Sequence, residues 1–230
     1  MNYFESPVPI DILEKNYNSV PIVENGEELV ELANSEKLFI ESVYHKLKLK
    51  SASKSVYVRK SLLLMLKKAS ENIPEGYKLM VLDGHRSPEL QKEVYLYMVD
   101  KVKNLYINSK SNIEISHIIK HYVSECSIDS EKPSPHLTGG SIDVTLCDEL
   151  NNPINMGTQF DDPIPESQTA FFEFYKNDFQ TFKYNRRLLY HVMISVGFTN
   201  YCNEWWHYDY GNQLWASKNK SVSIYSIVDS

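Results

Sequence analysis

Two short segments about sixty residues apart restrict this chain to folds that can bring them together. They are Ser134-Pro135-His136-Leu137-Thr138-Gly139-Gly140-Ser141-Ile142-Asp143 and Glu204-Trp205-Trp206-His207-Tyr208. Between them they supply two imidazoles, one carboxylate suited to be a ligand and one spare carboxylate. That is what a catalytic zinc site requires. Such an ion is usually held by three His, Asp or Glu side chains, with a further position left open. His136, Asp143 and His207 fill three places. A carboxylate that is not a ligand must then move protons between the attacking water and the leaving amine, and Glu204 is the residue placed to do so.

Local pattern sharpens this reading. Ser141 to Leu146 alternates, with Ile142, Val144 and Leu146 on one face and Asp143 and Thr145 on the other, as in a half-buried strand. His136 precedes Asp143 by an odd interval, which on a continuous strand would set them on opposite faces. Gly139-Gly140 permits a tight reversal between them. Trp205, His207 and Asp209 share one parity and Trp206, Tyr208 and Tyr210 the other. Glu204 has the wrong parity for His207, so it is expected at a strand end or bulge.

The two segments resemble the SxHxxGxxxD and EWWHY signatures of the zinc D,D-peptidases, specifically the D-alanyl-D-alanine dipeptidases of the vancomycin-resistance type. Three further stretches agree in order: Leu82-Asp83-Gly84-His85-Arg86, Met156-Gly157-Thr158-Gln159-Phe160-Asp161, and Asn185-Arg186-Arg187-Leu188 followed by Gly197-Phe198. The resemblance runs from about Tyr57 to Ala216 and leaves residues 1–55 poorly matched.

The resemblance implies one Zn²⁺ held by His136, Asp143 and His207, with Glu204 as general base and acid. It implies that Arg86 stabilises the tetrahedral intermediate, a role suited to a permanently charged, rigid donor. It further implies that Asp161 receives the free amino terminus of a small D,D-dipeptide and that Ser134 belongs with it among the substrate-binding residues. A tyrosine near the amine subsite is expected within residues 1–55, with no particular one singled out. The chain departs from the pattern at His85, where the family usually has Tyr, and at Ser87-Pro88, where Arg86 is usually followed directly by Pro. The latter is closer to the related carboxypeptidases.

Two other constellations carry less. His117 and His121 have the i, i+4 spacing of a helix-borne zinc pair, but Ile118 stands where the glutamate of HExxH belongs, so a solvated helix face is expected. Cys147 shares strand parity with Asp143 and is read as a buried structural thiol.

At 230 residues with 42% hydrophobic content, the chain can bury one sizeable core, and a single domain over 1–230 is expected. A net charge of −6 argues against a nucleic-acid surface. No run of about twenty apolar residues suggests a membrane span. The start, with an early acid and two prolines, lacks a signal-peptide pattern, and three cysteines without a CxxC pair point away from a disulfide framework. The expected compartment is the cytoplasm; the oligomeric state is left open.

Helical stretches are expected over Glu27 to Leu49, with helices at Val58 to Ser70, Glu89 to Asn104, Ile113 to Val123 and, for the most part, Phe171 to Val196, capped by Gly197. Tyr77 to Asp83 reads as a strand leading into Arg86. The expectation is an α+β fold: an antiparallel sheet carrying the zinc site, flanked by helices. Hydrolysis of free D-Ala-D-Ala is the leading function. The alternatives are D,D-carboxypeptidase trimming of peptidoglycan stem peptides and a non-catalytic metal-dependent binding module.

Overall fold

A computed structural model of the protein describes residues 6–11 and 16–228. Its elements in chain order are β1 (Leu29–Glu31), β2 (Leu38–Ile40), α1 (Val43–Lys46), β3 (Tyr57–Arg59), α2 (Lys60–Glu71), β4 (Lys78–Asp83), α3 (Pro88–Tyr106), α4 (Asn112–Tyr122), β5 (Ser141–Cys147), α5 (Gln180–Ser195), β6 (Thr199–Asn200), β7 (His207–Asp209) and α6 (Gln213–Lys218), joined in places by short 3-10 turns.

The main sheet has five strands in the order β2-β4-β5-β7-β6, and β1 pairs with β3 separately. The α+β expectation holds, but the sheet is mixed: β2 runs parallel to β4, and the other pairs are antiparallel. The parallel pair follows from the long crossover through α1, β3 and α2, since a hairpin can join only antiparallel neighbours.

Alternation along the central strands sorts side chains as the sequence suggests. Leu79 and Val81 of β4 join Ile142, Val144 and Leu146 of β5 in the main core, with Leu62, Leu66 and Ala69 from α2 and Leu188, Leu189, Val192 and Met193 from α5. Leu62, Leu66 and Ala69 fall one turn apart on the helix, and each fully buried leucine contributes roughly 1.5–3 kcal/mol. Met80, Leu82 and Cys147 face the opposite side in a smaller cluster with Phe39, Val43 and Phe160. Both faces of β5 are therefore covered and all seven residues are buried, so this strand is not half-buried as its alternation suggests. Cys147 is a buried thiol in that cluster, away from the polar end of the sheet.

Helix ends follow the expected chemistry. Ser87 caps α3 by accepting from the Leu90 amide, with Pro88 in the first turn. Ser111 and Glu114 form a reciprocal capping box at α4. Gly197 follows α5 at φ +105, a left-handed position that ends a helix cheaply only as glycine. His117 and His121 on α4 are exposed.

The helical expectation over Glu27 to Leu49 fails, and the helix expected from Val58 begins only at Lys60, because Tyr57–Arg59 pairs with β1 as a strand. Residues Glu27 to Leu49 contain two three-residue strands and one four-residue helix, because Leu29–Glu31 and Leu38–Ile40 gain their hydrogen bonds from distant β3 and β4 rather than from local turns. Phe171 to Val196 is predominantly helical as expected: a 3-10 turn at Phe171–Phe174 precedes α5, with Phe179 at φ +58 between them.

Candidate metal centre and active site

Sheet register brings the expected site residues together. Asp143 of β5 lies directly opposite His207 of β7 on one side and Asp83 of β4 on the other. A shift of register between Val81 and Asp83 turns the end of β4, sending the chain through Gly84 to Arg86. His136 arrives from a 3-10 turn at Pro135–Thr138, which ends at Gly139 with φ +69. A Cβ on Gly139 would lie 2.6 Å from Leu29 Cδ2, and one on Gly140 would lie 2.6 Å from the Tyr210 carbonyl. Backbone freedom and close approach together explain the glycine pair.

Hydrogen bonding fixes the free nitrogen of His136, whereas both nitrogens of His207 face carboxylate oxygens. His136 Nδ1–H donates to the Gly84 carbonyl at 2.7 Å, and that oxygen can only accept. His207 Nε2–H donates to Asp209 Oδ1 at 3.0 Å. The remaining lone pairs, His136 Nε2 and His207 Nδ1, face each other at 3.2 Å. Asp143 Oδ1 lies 3.0 Å from His207 Nδ1, and Asp143 Oδ2 lies 3.5 Å from His136 Nε2. The donor atoms of His136, Asp143 and His207 lie within 4.8 Å of one another, and all three residues are buried. With the His207 proton on Nε2, three acceptors converge, met among the described residues only by Arg86 Nη2 on Asp143 Oδ2, an arrangement that a cation between them would stabilise. A tetrahedral ion with N and O bonds near 2.0–2.1 Å separates its ligands by about 3.3 Å, so the spacing fits.

Electrostatics agree. Burial disfavours a charged His207, but Asp209 and Asp143 outweigh it and hold the imidazole well above its usual range. Burial also works against ionised Asp143, yet the neighbouring His136 and His207 hold its carboxyl well below the usual carboxylate range. The same negative field that would keep a proton on His207 favours a divalent cation. Asp209 is itself held by Ser141 and Asn212, the kind of outer support that fixes a metal-ligating histidine.

Glu204 stands in the turn before β7, its amide bonded to the Tyr201 carbonyl and its own carbonyl to the His207 amide, so it lies at the strand end that its parity requires. Glu204 Oε2 lies 4.0 Å from His207 Nδ1, beside the three donors. Burial pushes its carboxyl up to about 8; Asp143 and Asp161 add to this, while His207 and Arg86 oppose it.

Arg86 is buried and ties the centre to the rest of the cleft. Nε donates to Asp83, Nη1 to Gln91 Oε1 at 3.1 Å, and Nη2 to both Asp143 Oδ2 at 3.1 Å and the Tyr44 hydroxyl at 3.3 Å. Tyr44 in turn donates to Asp161 Oδ2 at 2.7 Å. A continuous chain thus runs from Asp143 through Arg86 and Tyr44 to Asp161. Burial pushes the Asp161 carboxyl up to about 6 against Arg86 and the Tyr44 hydrogen bond. Ser134 is buried at the cleft wall, and its hydroxyl donates to the Glu125 carbonyl at 3.3 Å and accepts from the Ser127 amide at 2.8 Å. The cleft that His136, Asp143, His207, Glu204, Arg86 and Asp161 share encloses about 120 Å³, small beside the roughly 300–1,000 Å³ of clefts for drug-sized ligands.

Sequence reasoning missed several members of this network. Tyr44 comes from α1, inside the poorly matched N-terminal part, and no local pattern distinguishes it from the chain's other tyrosines. Asp209 was signalled by its parity with His207 without being assigned a role. Asp83 stood in the motif that ends at Arg86, and only the sheet register shows why a carboxylate is needed there.

A three-donor centre with a carboxylate beside it, and a second carboxylate across a small cleft, is a layout suited to metal-assisted hydrolysis of a small substrate. The family model described as D-ala-D-ala dipeptidase matches residues 39–224, and the chain belongs to that peptidase family, whose members are metal-dependent. The match begins within the N-terminal part and takes in Tyr44. A D-alanyl-D-alanine dipeptidase from Synechocystis is 26% identical over 224 residues, spanning 88% of this chain and 89% of the relative. One from Enterococcus faecalis is 31% identical over 137 residues, 58% of this chain and 62% of its own length. A solved LD-carboxypeptidase chain aligns over 96% of this chain and 92% of its own, at 20% identity and a TM-score of 0.38, too low to carry an argument.

Proposed function

We propose that this chain is a zinc-dependent dipeptidase that hydrolyses free D-Ala-D-Ala to two D-alanines. The observation that carries the reading is the run Asp143–Arg86–Tyr44–Asp161, which joins the donor cluster to a partly free carboxylate within one small cleft. His136, Asp143 and His207 hold the ion. When bound, it supplies a Lewis acid that polarises the peptide carbonyl and lowers the pKa of a water.

The chain's own residues do the rest. Glu204 accepts a proton from the attacking water and passes it to the departing amine of the second residue, acting as general base and then general acid. Arg86, held by Asp83, Gln91, Asp143 and Tyr44, presents its fixed charge to the oxygen that becomes negative in the transition state. Asp161 Oδ2 is occupied by Tyr44, and Oδ1 is left for the substrate ammonium. Ser134 sits at the wall beside His136 as a further substrate contact. A carboxylate meeting a free amine favours the dipeptide over acylated stem peptides, on which no such charge exists. The cytoplasm is the compartment we assign, from a sequence whose three cysteines include no CxxC pair. Among the described residues, no helix is long and apolar enough to cross a membrane.

The test is alanine release from D-Ala-D-Ala, L-Ala-L-Ala and N-acylated D-Ala-D-Ala, with and without a chelator and with zinc added back. Turnover of the free D,D-dipeptide alone, lost on chelation and restored by zinc, is the expected result. Preference for the acylated compound would assign the chain to the carboxypeptidases instead. A zinc-loaded protein with no turnover would favour a binding module.

A pH dependence follows from Asp161. As pH falls through about 6, its carboxylate takes up a proton and the ionic contact with the substrate ammonium is lost. The substrate amine, with an ordinary pKa near 8, stays charged throughout that range. KM for the dipeptide is therefore expected to rise on the acid side, with its midpoint at or below about 6, because the bound cation itself favours ionised Asp161. A KM flat down to about pH 4, the ordinary range of an aspartate, would count against the anchor.

A further inference from the structure

The loop that carries Asp161 is fixed by cations reaching in from two helices. From α5, buried Arg186 donates to the carbonyls of Met156 at 2.8 Å, Gln168 at 2.7 Å and Glu166 at 2.8 Å, holding the two ends of the segment. From α3, Lys101 Nζ meets its middle. It donates to the Asp161 carbonyl at 3.0 Å and the Phe160 carbonyl at 3.4 Å, and pairs with Asp162 Oδ1 at 3.0 Å. Three acceptors meet the three donors of one ammonium.

That contact falls where the backbone needs support. Asp161 has φ +60, a left-handed conformation that costs a non-glycine residue about 1 kcal/mol or more and persists only when its surroundings over-determine it. The peptide oxygen of this residue is the one Lys101 binds. Lys101 is half-buried under the loop and is not among the residues lining the cleft. Tyr44 fixes one carboxylate oxygen from the cleft side, whereas Lys101 fixes the main chain from behind.

We propose that Lys101 is a positioning residue for substrate recognition: it holds the strained backbone at Asp161 so that the free carboxylate oxygen faces the substrate amine. The inference rests on the dipeptidase reading of Asp161. Because the amine contact is present in both the bound ground state and the transition state, a loose anchor should weaken binding more than chemistry. Hydrogen bonds to a charged group are individually worth enough to shift affinity by about tenfold.

The experiment compares wild type, Lys101→Met and Lys101→Arg as full chains loaded with zinc, using D-Ala-D-Ala as substrate. Lys101→Met is expected to raise KM about tenfold or more with kcat changed less than about threefold and zinc content unchanged. Lys101→Arg, which keeps the charge and donors, should recover most of the loss. If Lys101→Met does not fold, Lys101→Gln supplies the same split, with KM raised and kcat kept. An unmoved KM in the neutral variants, or a fall in kcat alone, overturns the role of Lys101. Wild type that releases no alanine from the dipeptide overturns the parent reading, and this inference falls with it; wild-type turnover beside an unmoved variant KM removes only the latter.

Discussion

Replacing Glu204 with glutamine is expected to lower kcat by about 10²–10⁴-fold while leaving the metal content of the protein unchanged. Glutamine keeps the shape and the hydrogen-bonding reach of the side chain but cannot accept a proton from water. The three donors of His136, Asp143 and His207 form a cluster without it, and Glu204 Oε2 is 4.0 Å from His207 Nδ1. Its place in the turn ahead of β7 fixes it beside the donor cluster rather than within it. Activity and metal content measured on the same preparation separate the roles. If zinc were lost together with activity, Glu204 would be a ligand, and another group would have to be the base.

Arg86→Met is expected to have the second largest effect, acting on both stability and catalysis. The guanidinium is charged at every accessible pH: burial alone would lower its pKa, but Tyr44, Asp83 and Asp143 outweigh that and raise it. Methionine fills much of the volume but leaves Asp83 without its ion-pair partner in a site where both side chains are about nine-tenths buried. Removing one partner of such a pair costs about 3–5 kcal/mol, part of which Asp83 recovers by taking up a proton, since burial already raises its pKa. Thermal unfolding of the zinc-loaded variant should show the loss. The missing oxyanion donor should lower kcat a further 10²–10³-fold or so. Arg86→Lys is expected to rescue little of either, because one ammonium cannot replace a planar fork that meets Asp83, Gln91, Asp143 and Tyr44 at once. A variant that melts like wild type and retains activity would show that Arg86 neither holds this network nor touches the reaction.

The parts of the site legible from sequence share a physical reason. His136, Asp143, Glu204 and His207 lie in two short segments whose parity and glycine content dictate local geometry, and strand alternation is a backbone property that neighbours do not change. Parity alone restricted Glu204 to a strand end or a bulge. The same reasoning separated the two faces of β5, although it underestimated how much covers the polar face. It failed over Glu27 to Leu49, where strands of three residues are too short to show a period and exist only through their pairing with β3 and β4.

The sequence by itself determined the chemistry of the donors, the strands that bear Asp143 and His207, the helix end at Gly197, and the reversal at Gly139-Gly140, all set by interactions within a few residues. Tertiary structure alone decided that β2 runs parallel to β4 and that Tyr44 joins Arg86 to Asp161. It also decided that Lys101 meets the Asp161 loop and that Asp83, Asp143 and His207 stand in register across three strands. These depend on contacts between residues 41 to 117 positions apart, from Leu38 with Leu79 to Tyr44 with Asp161, which arise only once burial of the common core has fixed where each segment lies.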